Sequence, residues 1–363
     1  MKRRILPSLI VAITLILQSA YVQGQSSSGV GKIVFTAYGF DDKHQISGSN
    51  LFLMDIDGSN LTKINTGFTY NFSPAWSPDG KYLAFTSKNE TNDPFQLHVI
   101  DSNGNNFTTP VSDQVSKTGP EWSPDGKRIL YAAATDPIYE IDILDTQSGN
   151  VVRIGNDKVA FGGDQSWSPD GKHIAVLGKI KINDESDQIY VMDSDGSNLK
   201  RITNTPDWQI DYFRWSPDSK QIVFSALSPQ DGLYEIYLMN MDGSQQHSLI
   251  KSPFGSRFPA WSPDENRIAF AWLQSASALG DPDLYVMDSQ GRNPTSLTHG
   301  AGGEQPVWSP DGKYIAFVRR DASQTLHRWD IFRINANGDN LVNLTNNPGI
   351  YTGIKWQPTQ STR

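Results

Sequence analysis

Seven tryptophans divide this chain at a nearly fixed interval. The stretch Trp76-Ser77-Pro78-Asp79-Gly80-Lys81 returns intact at Trp122, Trp167 and Trp308. It returns with one or two changes at Trp215, where Ser219 replaces glycine, and at Trp261, where Glu265 and Asn266 close the motif. A worn seventh copy, Trp356-Gln357-Pro358, follows. The intervals are 46, 45, 48, 46, 47 and 48 residues. A period of this size requires a repeat architecture, in which each unit buries its apolar face only against its neighbours.

The motif is a turn by its chemistry. Proline presets φ, aspartate suits the next position, and glycine accepts the positive φ with which the chain rejoins a strand. Ser219 and Glu265 are therefore expected at positive φ as well. Trp before the turn and Ile-Ala-Phe or its like after it predict a hairpin corner. The repeated ring reads as a buried anchor between sheets rather than a ligand platform, because a binding residue has no reason to recur in every unit. At ~200 Å² per ring and ~25 cal/mol/Å², its burial contributes roughly 5 kcal/mol per repeat before entropy.

Between successive motifs lie three short β-branched and aromatic runs separated by Gly, Asp and Asn turns, which read as strands. Residues 32–36, 51–55 and 61–64 precede the first Trp, and a lone Trp strand at 352–356 ends the series. That offset predicts an all-β, seven-bladed β-propeller of four-stranded antiparallel blades. The C-terminal strand would complete the first blade and so close the ring. Six blades with one irregular unit is the alternative. An open array would leave an unpaired strand at each end.

The run Trp-Ser-Pro-Asp-Gly-Lys-x-Ile-Ala-Phe, followed by Ile-Tyr-Val-Met-Asp-x-Asp-Gly-Ser-Asn, resembles the WD40-like propeller repeat of the TolB family. The resemblance covers residues 32–358. TolB proteins carry an α/β domain before a six-bladed propeller, whereas the repeat here starts at residue 32.

The N-terminus reads as an export signal over residues 1–24. Lys2-Arg3-Arg4 precedes an apolar run at 9–17, and Ala20 or Gly24 supplies the small residue before cleavage. Residues 25–31 form a flexible lead-in and 359–363 a short tail. The expected product is periplasmic or extracellular, monomeric, and without a membrane span once the signal is removed. It would hold 28 basic and 39 acidic residues, a formal charge of −11. With no basic cluster, nucleic acid is not an expected partner.

The chain has no cysteine, which excludes disulfides, thiolate metal sites and cysteine nucleophiles. No Gly-x-Ser-x-Gly elbow of a serine hydrolase is present. The six histidines, at 44, 98, 173, 247, 299 and 327, are scattered without metal-ligand spacing. The Asp-x-Asp-Gly-Ser-Asn stretches at 55–60 and 193–198 lack the remaining ligands of a calcium loop and read as tight turns. No metal, cofactor or catalytic residue is assigned.

The expected function is non-catalytic recognition of a protein, peptide or glycan. Variable loops at 38–50, 204–213 and 319–330 would supply it from one face of a rigid scaffold. Large aromatics near these loops are the binding candidates: Phe68, Tyr70, Phe161, Trp208, Tyr212, Phe254, Phe258 and Trp329. Their alternative is to fold inward. The rival function is a propeller-only enzyme, such as a polysaccharide lyase or hydrolase. It would need a charged cluster at the channel mouth, for which Glu121, Asp164, Asp211, Arg257, Glu304 and Lys355 are the candidates.

Overall fold

A computed structural model describes residues 31–359, apart from 42–44, 136–138, 155–158, 180–185, 204, 206, 274–280, 321–328 and 347–348. The expected signal, most of the lead-in, residues 360–363 and His44 and His327 therefore lie outside the described residues. Those described form an all-β structure without helix. None of it is a helix long and apolar enough to cross a membrane.

The strands pair as antiparallel four-stranded units in chain order. Unit I takes its first strand, Tyr351–Trp356, from the C-terminus; Lys32–Phe40, Ile46–Asp55 and Thr62–Lys63 follow. Units II to VII begin with Tyr70–Trp76, Ser116–Trp122, Ala160–Trp167, Gln209–Trp215, Ser256–Trp261 and Glu304–Trp308. Among the described residues, one strand pairing links the sheets of units III and IV, that of Tyr139 with Phe161. Much of the stretch 38–50, expected as loop, is instead paired strand, with Tyr38 opposite Ser49 and Gly39 opposite Gly48.

The turn motif is held by its own side chains. Ser77 Oγ donates to Asp79 Oδ1 at 2.7 Å and accepts the Tyr82 N–H at 2.9 Å, while Asp79 Oδ1 accepts the Lys81 N–H at 3.1 Å. The same three bonds recur at Ser123 and Asp125, and again at Ser309 and Asp311. Gly80, Gly126, Gly171 and Gly312 have φ of 67°, 69°, 71° and 69°; Ser219 and Glu265 take 65° and 63° in the same place. The turn thus keeps its geometry where glycine is lost, at a steric cost.

Second strands are buried on both faces, which explains their continuous apolar runs. In unit II, Leu83 and Phe85 pack toward unit I, and Ala84 packs toward unit III. The core is divided accordingly. Each cluster of buried side chains draws on two neighbouring units, and one of them joins unit VII, through Val318, Ile331 and Leu344, to Ile33, Phe35 and Trp356 of unit I. First strands also touch in series, II with III through to VII, then VII with I and I with II.

Candidate functional site

Each first strand reaches its tryptophan through an irregularity. The register slips between Phe72 and Ala75, Thr118 and Glu121, Arg257 and Ala260, and Glu304 and Val307. In these four strands a proline stands two residues before the Trp, at 74, 120, 259 and 306. Proline has no N–H to give the ladder, and the residue before it turns left-handed: Ser73, Gly119, Phe258 and Gln305 have φ of 53°, 58°, 57° and 54°. Such bulges re-aim the neighbouring side chains.

The residues immediately before the tryptophans are Ala75, Glu121, Ser166, Arg214, Ala260, Val307 and Lys355. Charged members of this series come together. Glu121 Oε1 accepts the Ser166 hydroxyl at 3.1 Å and the Trp167 N–H at 3.2 Å, tying unit III to unit IV. Burial pushes the Glu121 carboxyl up to about 7, against the opposing charges of Lys355 and Arg214. Burial also raises Asp164, which Arg214 and Lys355 oppose and Asp211 reinforces. The Lys355 ammonium is depressed by burial and by the Arg214 charge, with Glu121 and Asp164 opposing. Lys355 is itself solvent-exposed, so water reaching it offsets much of that burial.

Arg214 precedes Trp215 as Glu121 precedes Trp122, and that shared offset is the sequence signal for it. Its guanidinium lies 3.8 Å from the Tyr212 ring centroid, and Nη1 donates to the Phe213 carbonyl at 2.6 Å. Burial disfavours its charge, but Tyr212, Asp164 and Glu121 outweigh that and raise its pKa. Among the described residues, no hydrogen bond or ion pair engages the Asp164 carboxylate or the Lys355 ammonium.

Three residues further from the tryptophans, Asp211, Arg257 and Glu304, form an adjoining group. Asp211 accepts the Ser225 hydroxyl at 2.7 Å and pairs with Arg257, whose Nε donates to it at 3.1 Å. The Arg257 guanidinium is held between two rings, 4.2 Å from Tyr234 and 4.9 Å from Phe258. Burial raises the Glu304 carboxyl, with Arg257 opposing and Asp281 adding to the rise. All six charged candidates therefore fall within two linked groups.

The aromatic candidates are placed differently. Tyr212 and Phe258 meet edge to face at 5.7 Å beside the charged residues. Phe161 is buried in the core between units III and IV. Trp208 packs 4.6 Å from the Tyr237 ring, and Trp329 packs against the core between units VII and I. Phe68 packs with tilted rings against His98 and Phe107 at 4.7 and 5.9 Å, and Tyr70 lies under Lys88. Phe254 is half-buried, its N–H donating to Ser252 Oγ at 3.3 Å. No ring contact among the described residues joins these six to Tyr212 and Phe258.

Among the described residues, no group of three or more histidine, aspartate or glutamate side chains is disposed to hold a metal ion. In the turns at 55–60 and 193–198, Asp55 and Asp193 accept from the Asn60 and Asn198 amides at 2.7 and 2.6 Å.

The profile of the TolB beta propeller domain matches residues 87–252. This match supports a TolB-like β-propeller family for the chain. The TolB-like propeller is 33% identical over 143 residues to an uncharacterized protein of Agrobacterium fabrum, a match covering 38% of this chain and 46% of that protein. It spans less than half the length of the curated relatives it matches. Among solved structures, TolB from Acinetobacter baumannii superposes with a TM-score of 0.55 at 20% identity, over 90% of this chain and 83% of that one. Oligogalacturonate lyase from Vibrio parahaemolyticus superposes with a TM-score of 0.60 at 14% identity, over 93% and 96%. Identities this low carry the fold and nothing further.

Proposed function

We propose that this TolB-like propeller is an exported, non-catalytic binding protein that recognises a polar segment of a protein, peptide or glycan at the meeting point of its first strands. The observation that carries this reading is the pair Asp164 and Lys355. Each feels the other's charge, yet neither has a direct partner among the described residues. Asp164 is half-buried and Lys355 reaches solvent, so both are accessible to a ligand, and a direct charged partner would strengthen each beyond what water provides. A ligand that donates to Asp164 and accepts from Lys355 would supply what the chain does not.

We read the scaffold as seven blades closed into a ring, its channel lined by the residues that precede the tryptophans. Three observations support closure: the pairing of Tyr351–Trp356 with Lys32–Phe40, the core cluster between units VII and I, and the circular series of first-strand contacts. Export rests on residues 1–24 as a cleaved signal.

The test is affinity capture from the native extracellular fraction with the immobilised protein and an Asp164→Asn/Lys355→Met variant. A species retained by the wild type and lost by the variant, at an unchanged unfolding midpoint, is the expected result. Equal retention by both removes the centre as the binding site.

A second reading is favoured by Glu121, whose carboxyl near 7 suits a proton donor or acceptor at neutral pH. Together with the likeness in fold to oligogalacturonate lyase, it makes a propeller-only enzyme acting on an acidic polysaccharide the alternative. Incubation with oligogalacturonate would separate the two: unsaturated product formed by wild type and not by Glu121→Gln selects the enzyme.

A further inference from the structure

Neighbouring units are tied on their turn side by arginines. The guanidinium of Arg128, in unit III, lies 4.4 Å from the Trp167 ring centroid of unit IV, and Nη1 donates to the Ser194 carbonyl at 2.9 Å. Arg267 of unit VI repeats this over Trp308 at 4.8 Å, donating to Ala336 at 3.0 Å. Between units VII and I, Arg333 covers Tyr314 at 4.6 Å and donates to Ile56 at 3.3 Å. In each case the acceptor directly follows the last residue of a third strand: Asp193, Asn335 or Asp55.

The junction of units II and III has the same parts without the arginine. Tyr82 stands after its turn where Arg128 and Arg267 stand after theirs. Val99 pairs with Ala84 as Arg333 pairs with Ala316, so it occupies the arginine's place in that register. The Tyr82 ring stacks on Trp122 at 6.4 Å and remains 42% exposed. Thr146 follows Asp145 in the acceptor position, and among the described residues no donor from unit II reaches its carbonyl.

A groove of about 800 Å³ lies at this junction, lined by Tyr82, Val99, Trp122 and Thr146, with Asp79 and Asp125 also in its wall. Asp79, Asp170, Asp218 and Asp311 each pair with the lysine two residues on. Among the described residues, no ion pair engages Asp125.

We propose that this groove binds an arginine side chain of a partner polypeptide, in the place that the molecule fills with its own arginine at three other junctions. The guanidinium would lie on the Tyr82 ring, donate to the Thr146 carbonyl and pair with Asp125. A planar, forked donor suits this arrangement better than a lysine ammonium, because one group can stack and donate in two directions at once. The site is separate from the charged centre and does not depend on the function assigned there.

The experiment follows the tryptophan indole signals by NMR while a blocked triarginine peptide is titrated into the full protein. Blocked trilysine and cellotriose are the comparison probes. Triarginine should shift the Trp122 signal saturably and bind about 5-fold or more tighter than trilysine. Asp125→Asn should weaken triarginine by roughly 3- to 10-fold. Tyr82→Arg and Val99→Arg, which place an internal guanidinium in the groove, should abolish the shift at an unfolding midpoint no lower than wild type. Equal binding of triarginine and trilysine, or a Trp122 response to cellotriose instead, would overturn the proposal. So would undiminished binding by a folded arginine variant. If neither arginine variant folds, Asp125→Asn and the trilysine comparison still decide.

Discussion

The indole Nε1–H of Trp356 donates to the main-chain oxygen of Val307 at 2.9 Å. The same bond runs from Trp308 to Ala260 at 3.0 Å, from Trp215 to Ser166 at 3.3 Å and from Trp76 to Lys355 at 3.4 Å. Every acceptor is the residue directly before the preceding unit's tryptophan. In these four units the repeated ring therefore fills the space between sheets and also staples its unit to the backbone that carries the central side chains, whereas the buried indole N–H groups of Trp122, Trp167 and Trp261 have no partner among the described residues.

Two substitutions separate these contributions. Trp308→Phe keeps most of the apolar burial but leaves the Ala260 carbonyl without its donor, and should cost about 1–2 kcal/mol. Trp308→Ala adds a cavity and should cost about 3–5 kcal/mol. Denaturant titration of both variants measures the difference, and equal losses would mean that the hydrogen bond dominates the burial.

Closure can be tested at Gln357. Its Oε1 accepts the Lys32 N–H at 3.1 Å, its own N–H donates to the Lys32 carbonyl at 2.7 Å, and Nε2 donates to the Gly80 carbonyl at 2.8 Å. One residue thus holds the first strand of the chain, the last strand and the turn of unit II. Gln357→Ala should lower stability by about 1–2 kcal/mol. A chain stopped after Asn346 removes the whole first strand of unit I, and should show a large fall in unfolding midpoint or loss of soluble protein. An unchanged midpoint in the truncated protein would remove that strand from the ring.

The two turns without glycine should respond differently to its restoration. At Glu265, φ is 63° and replacement by glycine should stabilise by roughly 0.5 kcal/mol, as relief of strain outweighs the added chain entropy. At Ser219 the hydroxyl accepts the Asp170 N–H of the neighbouring unit at 3.0 Å. Ser219→Gly removes that bond and should be neutral or destabilising. Thermal melts of the two variants test the ordering, which fails if Ser219→Gly is the more stable.

Stability should pass through opposed pH regimes. The His98 imidazole is buried among Phe68, Phe85 and Phe107 and is lowered from 6.5 to about 4, chiefly by burial. The unfolded chain takes up this proton first, so acidification from about 6.5 to about 4 should cost up to about 3 kcal/mol. Glu121 acts with the other sign. Its folded carboxyl holds a proton up to about 7, whereas the unfolded one releases it near 4.5. Its contribution is therefore present below 4.5 and lost as the pH rises through 7. Glu121→Gln should flatten the loss between 4.5 and 7, and His98→Gln the loss between 6.5 and 4. Denaturant midpoints across pH read both, and unchanged profiles would contradict these environments.

What is local and periodic is legible in the amino acids alone: the strand series, the turn at each Ser-Pro-Asp and the positive φ at Ser219 and Glu265. These follow from propensities and covalent geometry acting over a few residues, repeated often enough to be unambiguous. The lone C-terminal strand pointed likewise to its place beside residues 32–40, because an unpaired edge is costly. Which side chains meet is set by packing between units. Glu121, Arg214 and Lys355 converge because each precedes a tryptophan in a different unit, and no spacing within one unit carries that information. Phe161 and Trp208 turned toward cores rather than a shared surface, since an aromatic beside a loop can lie on either side of its sheet. The open junction at Tyr82 became visible only against the arginines that close three others. Such differences reside in contacts between neighbouring sheets, where a single substitution changes what fills the space and leaves the repeat intact.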